Sequence, residues 1–235
     1  MIKKTNNLKS NSETYIVIPA YNEESSISGA INDLKKHNYF KIIVVDDGSI
    51  DNTQKIARQA GTIVVRHPIN LGQGAALRTG MDLALELGAD IIVTFDADGQ
   101  HLAKDINKLI KPITSNKVDI TLGSRFLNHS SKIPLLKKIL LKSGAILIFF
   151  MYGIMLTDTH NGLKAMSRTA AQKISINSRG MEHGSEIIEK IKLNRIKFKE
   201  IPVTIRYSKY SIKKGQRISN SLNIFIKMLT KWFIE

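Results

Sequence analysis

Apolar residues recur along the first half of the chain in two alternating rhythms. Short β-rich runs dominated by Ile and Val fall at 15–19, 41–46, 62–66, 90–95 and 119–123. Between them, apolar positions at three- and four-residue spacing predict helices near 23–36, 52–60, 74–87 and 106–113. Strict alternation of this kind predicts a parallel, doubly wound α/β sheet. Ligands bind such sheets beyond the carboxyl ends of the strands.

The rhythm loosens after residue 125. Residues 134–156 read as one or two helices, with Lys137, Lys138 and Lys142 ahead of an apolar stretch. Residues 182–193 read as a further helix, 197–206 as a strand and 207–217 as a lysine-rich loop. The end, 218–234, sets Leu222, Phe225, Ile226, Leu229, Trp232 and Phe233 at helical spacing. The expected organisation is a disordered polar tail over 1–13, one globular domain over 14–216 and an amphipathic helical tail over 217–235.

Charge changes this picture because it is uneven. Residues 1–110 hold 12 Lys/Arg against 13 Asp/Glu, whereas residues 111–235 hold 23 against 7. The basic half is expected to face a polyanion: nucleic acid, an anionic membrane or a phosphorylated substrate. No nucleic-acid motif accompanies the charge, and apolar segments flanked by lysines fit a membrane interface better. The longest apolar run, 145–156, is too short to span a bilayer, and residues 1–13 lack the core of a signal peptide. The absence of cysteine excludes disulfides and thiolate chemistry and fits a reducing cytoplasm.

The strand ends carry the candidate chemistry. Pro19-Ala20-Tyr21-Asn22-Glu23 follows the first strand, and Asp46-Asp47-Gly48-Ser49 the second. Asp96-Ala97-Asp98-Gly99-Gln100 follows the fourth, and Arg125 the fifth. Alternate residues of a strand share a face, so Asp96 and Asp98, with Gln100 on the same parity, form a candidate Mg²⁺ or Mn²⁺ site. Asp46 or Asp47 is placed to accept from a ribose or base, or else to cap the next helix. The stretch from Asn70 to Arg78 lacks the third glycine of a dinucleotide fingerprint. Gly74 and Arg78 suit either a sugar-phosphate contact or close helix packing. No Ser/His/Asp set and no P-loop are present.

In this order, VIPAYNEE, VVDDGSIDNT, NLGQGAALRTG, TFDADGQH and LGSRF resemble family-2 glycosyltransferases. The branch resembled is that of dolichyl-phosphate mannose synthase and bacterial polyprenyl-phosphate glycosyltransferases. The resemblance implies a GT-A fold, with a Rossmann-like, mostly parallel sheet, and inverting transfer from a UDP- or GDP-sugar. It places Pro19, Ala20, Tyr21, Glu23, Asp46, Asp47, Gly74, Arg78, Asp96 and Ala97 around the donor. Asp96, Asp98 and Gln100 would hold the metal. Arg125, Lys138, Lys142, Lys213 and Lys214 would meet an acceptor phosphate, and Asp98, Arg125, Asp158 and Glu186 form the catalytic set.

The activity implied is transfer to polyprenyl phosphate by a peripheral enzyme on the cytoplasmic face of the membrane. A small transmembrane partner or a second copy would be a further contact. A sugar-hydroxyl acceptor in polysaccharide synthesis is the alternative, with Asp158 or Glu186 as base. Outside this class stand a non-catalytic basic membrane or nucleic-acid module and a nucleotidyltransferase.

Overall fold

The structure, a computed structural model, describes residues 12–127 and 135–206. The lysine-rich loop with Lys213 and Lys214, and the expected amphipathic tail, lie outside the described residues.

Four βα units and a fifth strand open the described chain: β1 (Thr14–Ala20), α1 (Ile27–Lys36), β2 (Ile42–Asp46), α2 (Thr53–Gln59), β3 (Ile63–Arg66), α3 (Gln73–Glu86), β4 (Ile91–Thr94), α4 (Ile106–Thr114) and β5 (Ile120–Ser124). A long helix, α5 (Leu135–Tyr152), leads to β6 (Lys164–Ser167), α6 (Arg168–Lys173), α7 (His183–Leu193) and β7 (Phe198–Pro202). The seven strands form one sheet in the order β3-β2-β1-β4-β6-β5-β7. All pairs are parallel except those of β6, which runs antiparallel to β4 and β5.

The core follows from the strand period of two. Val17, Ile43 and Val45 face α3 on one side of the sheet, where Ala76, Met81 and Ala84 pack. Ile16, Ile18, Ile42 and Val44 face the other side, against Ile27, Leu34, Ala57 and Leu109 of α1, α2 and α4. Covering on both faces explains why these strands read as continuous apolar runs rather than alternating ones.

Three expectations change. The helix expected at 23 begins at Ile27, because residues 21–26 form the loop after β1. The strand expected over 90–95 ends at Thr94, so Asp96 and Asp98 lie in a turn, with Gly99 at φ 73°. A turn, not the pleat, brings the carboxylates together, and the strand-parity argument fails. The strand expected over 197–206 stops at Pro202, and β6 and α6 were not anticipated.

Candidate active site

The loops beyond β1 and β2 are knitted into one wall. Asp47 N–H donates to Ala20 C=O (2.8 Å), and Asn22 N–H to Ser49 Oγ (2.9 Å). Ile50 N–H returns a bond to Asn22 Oδ1, and Glu23 N–H donates to Thr53 Oγ1 at 2.7 Å. Pro19 and Ala20 close β1 opposite Val45 and Asp46, both buried, while Tyr21 is exposed above them.

The adjacent acids of this wall have separate tasks. Asp47 accepts from His67 Nδ1 (2.7 Å), Leu71 N–H (2.9 Å) and Gly72 N–H (2.8 Å). Its carboxylate is committed to folding the loop after β3. Asp46 is fully buried; its Oδ1 accepts from Ser49 N–H, while Oδ2 has no hydrogen bond and lies 3.4 Å from Arg66 Nε. Of the pair, Asp46 is the one that keeps an oxygen without a hydrogen bond.

Gly74 turns out to answer a packing demand. A Cβ there would lie 2.0 Å from Ser178 C=O, and its N–H already donates to Arg179 C=O at 2.8 Å. Ala75 N–H reaches the same carbonyl, so the first amides of α3 are capped by chain rather than left open for a phosphate. Arg78, one turn on, is half-exposed and faces Asp82 at 3.7 Å. Of the two readings open for this stretch, close packing is the one the geometry fits.

Asp96 and Asp98 sit at the centre of the rim. Asp96 Oδ2 accepts from His101 Nε2 (2.9 Å), and Gln73 Nε2 approaches its Oδ1 (3.4 Å). Burial opposes its charge, but His101, Lys164 and His183 outweigh that and hold its carboxyl below the usual range. Asp98 is pushed up, by burial first and then by the charge on Asp96. Gln100 donates to Asp98 from both its backbone and its side-chain amide. Two neighbouring carboxylates, one pushed up in part by the charge on the other, with an amide beside them, suit a hard divalent cation. Among the described residues no three acidic or imidazole groups gather as a cage, and waters or substrate oxygens would complete the shell of such an ion.

The other wall is the loop between α5 and β6. Arg125, buried at the end of β5, donates from its N–H (3.0 Å) and Nε (2.6 Å) to Asp158 Oδ2, and from Nη2 to His160 C=O. Asp158 Oδ1 is buried without a hydrogen bond. The loop is pressed against the acid pair: Thr94 Oγ1 donates to Gly162 C=O (2.5 Å), and a Cβ on Gly162 would lie 2.2 Å from Asp96 Oδ2. Glu186, the other catalytic candidate, accepts from Asn177 N–H and Ser178 N–H (both 2.8 Å). Lys138 and Lys142 are exposed on α5.

Sequence reasoning missed several groups. Lys164 is buried beside Asp96, Asp158 and Arg125; desolvation pushes its ammonium down to about 8, and Nζ donates to Asn161 C=O. Burial likewise pushes His160 and His183 down to about 4, so both are neutral donors or acceptors near pH 7. A lysine opening a strand carries no sequence signal for this position, whereas His160 lies two residues from the candidate Asp158.

The model of glycosyl transferase family 2 matches residues 15–175, which includes both walls of this rim. The chain belongs to that family. Among its family-2 relatives is the UDP-N-acetylglucosamine–dolichyl-phosphate N-acetylglucosaminyltransferase of Methanococcus voltae, 37% identical over 92% of this chain and 94% of that one. The polyprenol monophosphomannose synthase of Mycolicibacterium smegmatis is 26% identical over 86% and 80%. Among solved structures, glucosyl-3-phosphoglycerate synthase from Mycobacterium tuberculosis with Mn²⁺, UDP-glucose and phosphoglyceric acid superposes with a TM-score of 0.69, at 17% identity over 96% of this chain and 81% of that one. Its complex with Mg²⁺ and UDP gives 0.73, at 18% identity over 95% and 80%. These structural matches establish the GT-A fold expected from the motifs.

Proposed function

We propose that this glycosyltransferase moves a sugar from a UDP- or GDP-sugar to a polyprenyl phosphate at the membrane surface, with inversion. The observation that carries the reading is the contact of the α5–β6 loop with the acid pair at Gly162. Gly162 of that loop abuts Asp96, and the same loop carries Asp158, which pairs with Arg125. Relatives that act on dolichyl phosphate and polyprenol support the acceptor class.

In this reading Pro19 to Glu23 and Asp46 hold the base and ribose. Asp96 and Asp98, with Gln100, hold Mg²⁺ or Mn²⁺, which when bound stabilises charge on the departing diphosphate. The bond from the anomeric carbon to the diphosphate oxygen breaks as one from the acceptor phosphate oxygen forms on the opposite face. That oxygen is already ionised at neutral pH, so no strong base is required. Arg125 and the lysines of α5 and the following loops attract and orient the phosphate.

The disposition of the acids supports a phosphate acceptor. Glu186 is spent on backbone amides, and Asp158 is tied to Arg125. The unpaired Asp158 Oδ1 is the one feature that favours a hydroxyl acceptor, as a base toward a sugar O–H. Attachment to lipid falls to α5, where Ile146, Phe149 and Phe150 are exposed beyond Lys138 and Lys142. Among the described residues no helix is long and apolar enough to cross a membrane, and we place the enzyme on the cytoplasmic face.

The test is incubation of the protein with labelled UDP- and GDP-sugars, Mn²⁺ and undecaprenyl or dolichyl phosphate. Formation of a lipid-linked sugar that Asp98→Ala abolishes is expected. Product on sugar hydroxyls alone would move the assignment to the second reading.

A further inference from the structure

The described part of the second wall, residues 153–163, contains no helix or strand, so its backbone groups need partners from elsewhere. One side chain serves two of these amides and a neighbouring hydroxyl. Glu200, half-buried on β7 and paired in register with Leu122 of β5, accepts from Thr157 N–H (2.9 Å), Thr157 Oγ1 (2.9 Å) and Asp158 N–H (3.0 Å). Thr157 Oγ1 also meets Ser124 Oγ at 2.6 Å. The next link is Asp158 itself, whose Oδ2 receives both the N–H and the Nε of Arg125. Glu200 therefore touches no group assigned to substrate, yet fixes the backbone of the one that holds Arg125.

The chain that leaves this strand reaches the segment that carries the acid pair. Past Pro202, Thr204 N–H donates to the buried Asp105 Oδ2 (2.9 Å), and Arg206 N–H to Gln100 C=O (2.9 Å). Gln100 adjoins the acid pair. One continuous segment, 200–206, thus holds the acceptor-side loop at its start and the metal-side loop at its end.

We propose that Glu200 is a positioning residue for transfer, and that 200–206 is a strap fixing the spacing between Arg125 and the Asp96–Asp98 pair. The inference rests on the phosphate-acceptor reading for the identity of the group that Arg125 meets. Charge-assisted bonds from a carboxylate are the strong class, so Glu200 suits the anchor of an irregular loop. Its loss leaves two amides without partners and lets Asp158 and Arg125 drift together. A displacement of about 1 Å at reacting groups costs about 100-fold in rate.

The experiment uses the full chain with Glu200→Ala, Glu200→Gln and Thr157→Val. Hydrogen exchange at the Thr157 and Asp158 amides is expected to accelerate in Glu200→Ala. Transfer to polyprenyl phosphate falls about 100-fold in kcat, while affinities for Mn²⁺ and nucleotide-sugar stay at the wild-type level. Glu200→Gln, which keeps one acceptor oxygen, and Thr157→Val, which loses only a hydroxyl, recover most of the rate. Unchanged exchange at 157–158, or equal loss of donor binding and transfer in all three variants, would overturn the proposal. A wild type that makes no lipid-linked product would sink the acceptor reading instead, and the exchange rates still decide the positioning role.

Discussion

Gly162→Ala isolates the contact between the α5–β6 loop and the acid pair. An added Cβ would lie 2.2 Å from Asp96 Oδ2 and 2.6 Å from its Oδ1 and Cγ. Carbon and oxygen need about 1 Å more than that, so something must move. Gly162 itself is held by the bond from Thr94 Oγ1 to its carbonyl, on a loop anchored at both ends. The Asp96 carboxylate is the movable partner, fastened by His101 at 2.9 Å and only weakly by Gln73 at 3.4 Å. Its rotation breaks the His101 bond and carries an oxygen about 1 Å from the place where a metal would find it.

The expected consequence separates folding from function. Overpacking relieved by a side-chain shift costs about 1–3 kcal/mol, or a fall in Tm of a few degrees for a chain of this size. Turnover should fall about 100-fold, and Mn²⁺ affinity in the presence of UDP should fall with it. Calorimetric titration and thermal melts measure both. Gly29→Ala is the control: it sits on α1 with nothing within 4 Å of the new Cβ, so it should gain about 0.5–1 kcal/mol and keep full activity. Wild-type Mn²⁺ affinity and turnover in Gly162→Ala would refute the claim that Asp96 must be held at its present place.

His160 sets an acid limb. Burial holds its folded pKa near 4, so below about 6.5 the unfolded chain binds a proton that the folded one refuses. Stability is therefore lost as pH falls from about 6.5 to 4, by on the order of 3 kcal/mol, and His160→Asn should show a limb shallower by that amount in denaturant titrations. Equal limbs would mean that His160 is not held neutral. Gly74→Ala should lower Tm because its Cβ would meet the Ser178 carbonyl, whereas Arg78→Ala, losing one exposed ion pair, should leave Tm unchanged. Phe149→Ser with Phe150→Ser on α5 should weaken pelleting with anionic liposomes without altering soluble nucleotide binding. Undiminished pelleting would remove α5 as the lipid contact.

The legible parts of this molecule are those whose physics is local. β1, β2 and β4 are buried on both faces, so each must be an apolar run whatever it pairs with. β6 escaped because it is short, opens on a charged Lys164 and runs against the parallel pattern that the first five strands establish. The acid pair was visible as two nearby carboxylates, but the means of bringing them together was not, since a pleat and a turn produce the same D-x-D.

Adjacent motif residues also divide their roles in ways that spacing cannot record. Asp46 and Asp47 differ in whether a loop twenty-odd residues later uses up the oxygens. Gly74 differs from a phosphate-cradle glycine only because the Arg179 carbonyl arrives first. Glu200 acts on amides more than forty residues upstream, and no period or motif links the two. The family pattern therefore identifies which side chains reach the rim, while the division between those that meet substrate and those that hold the rim in shape is written in long-range contacts.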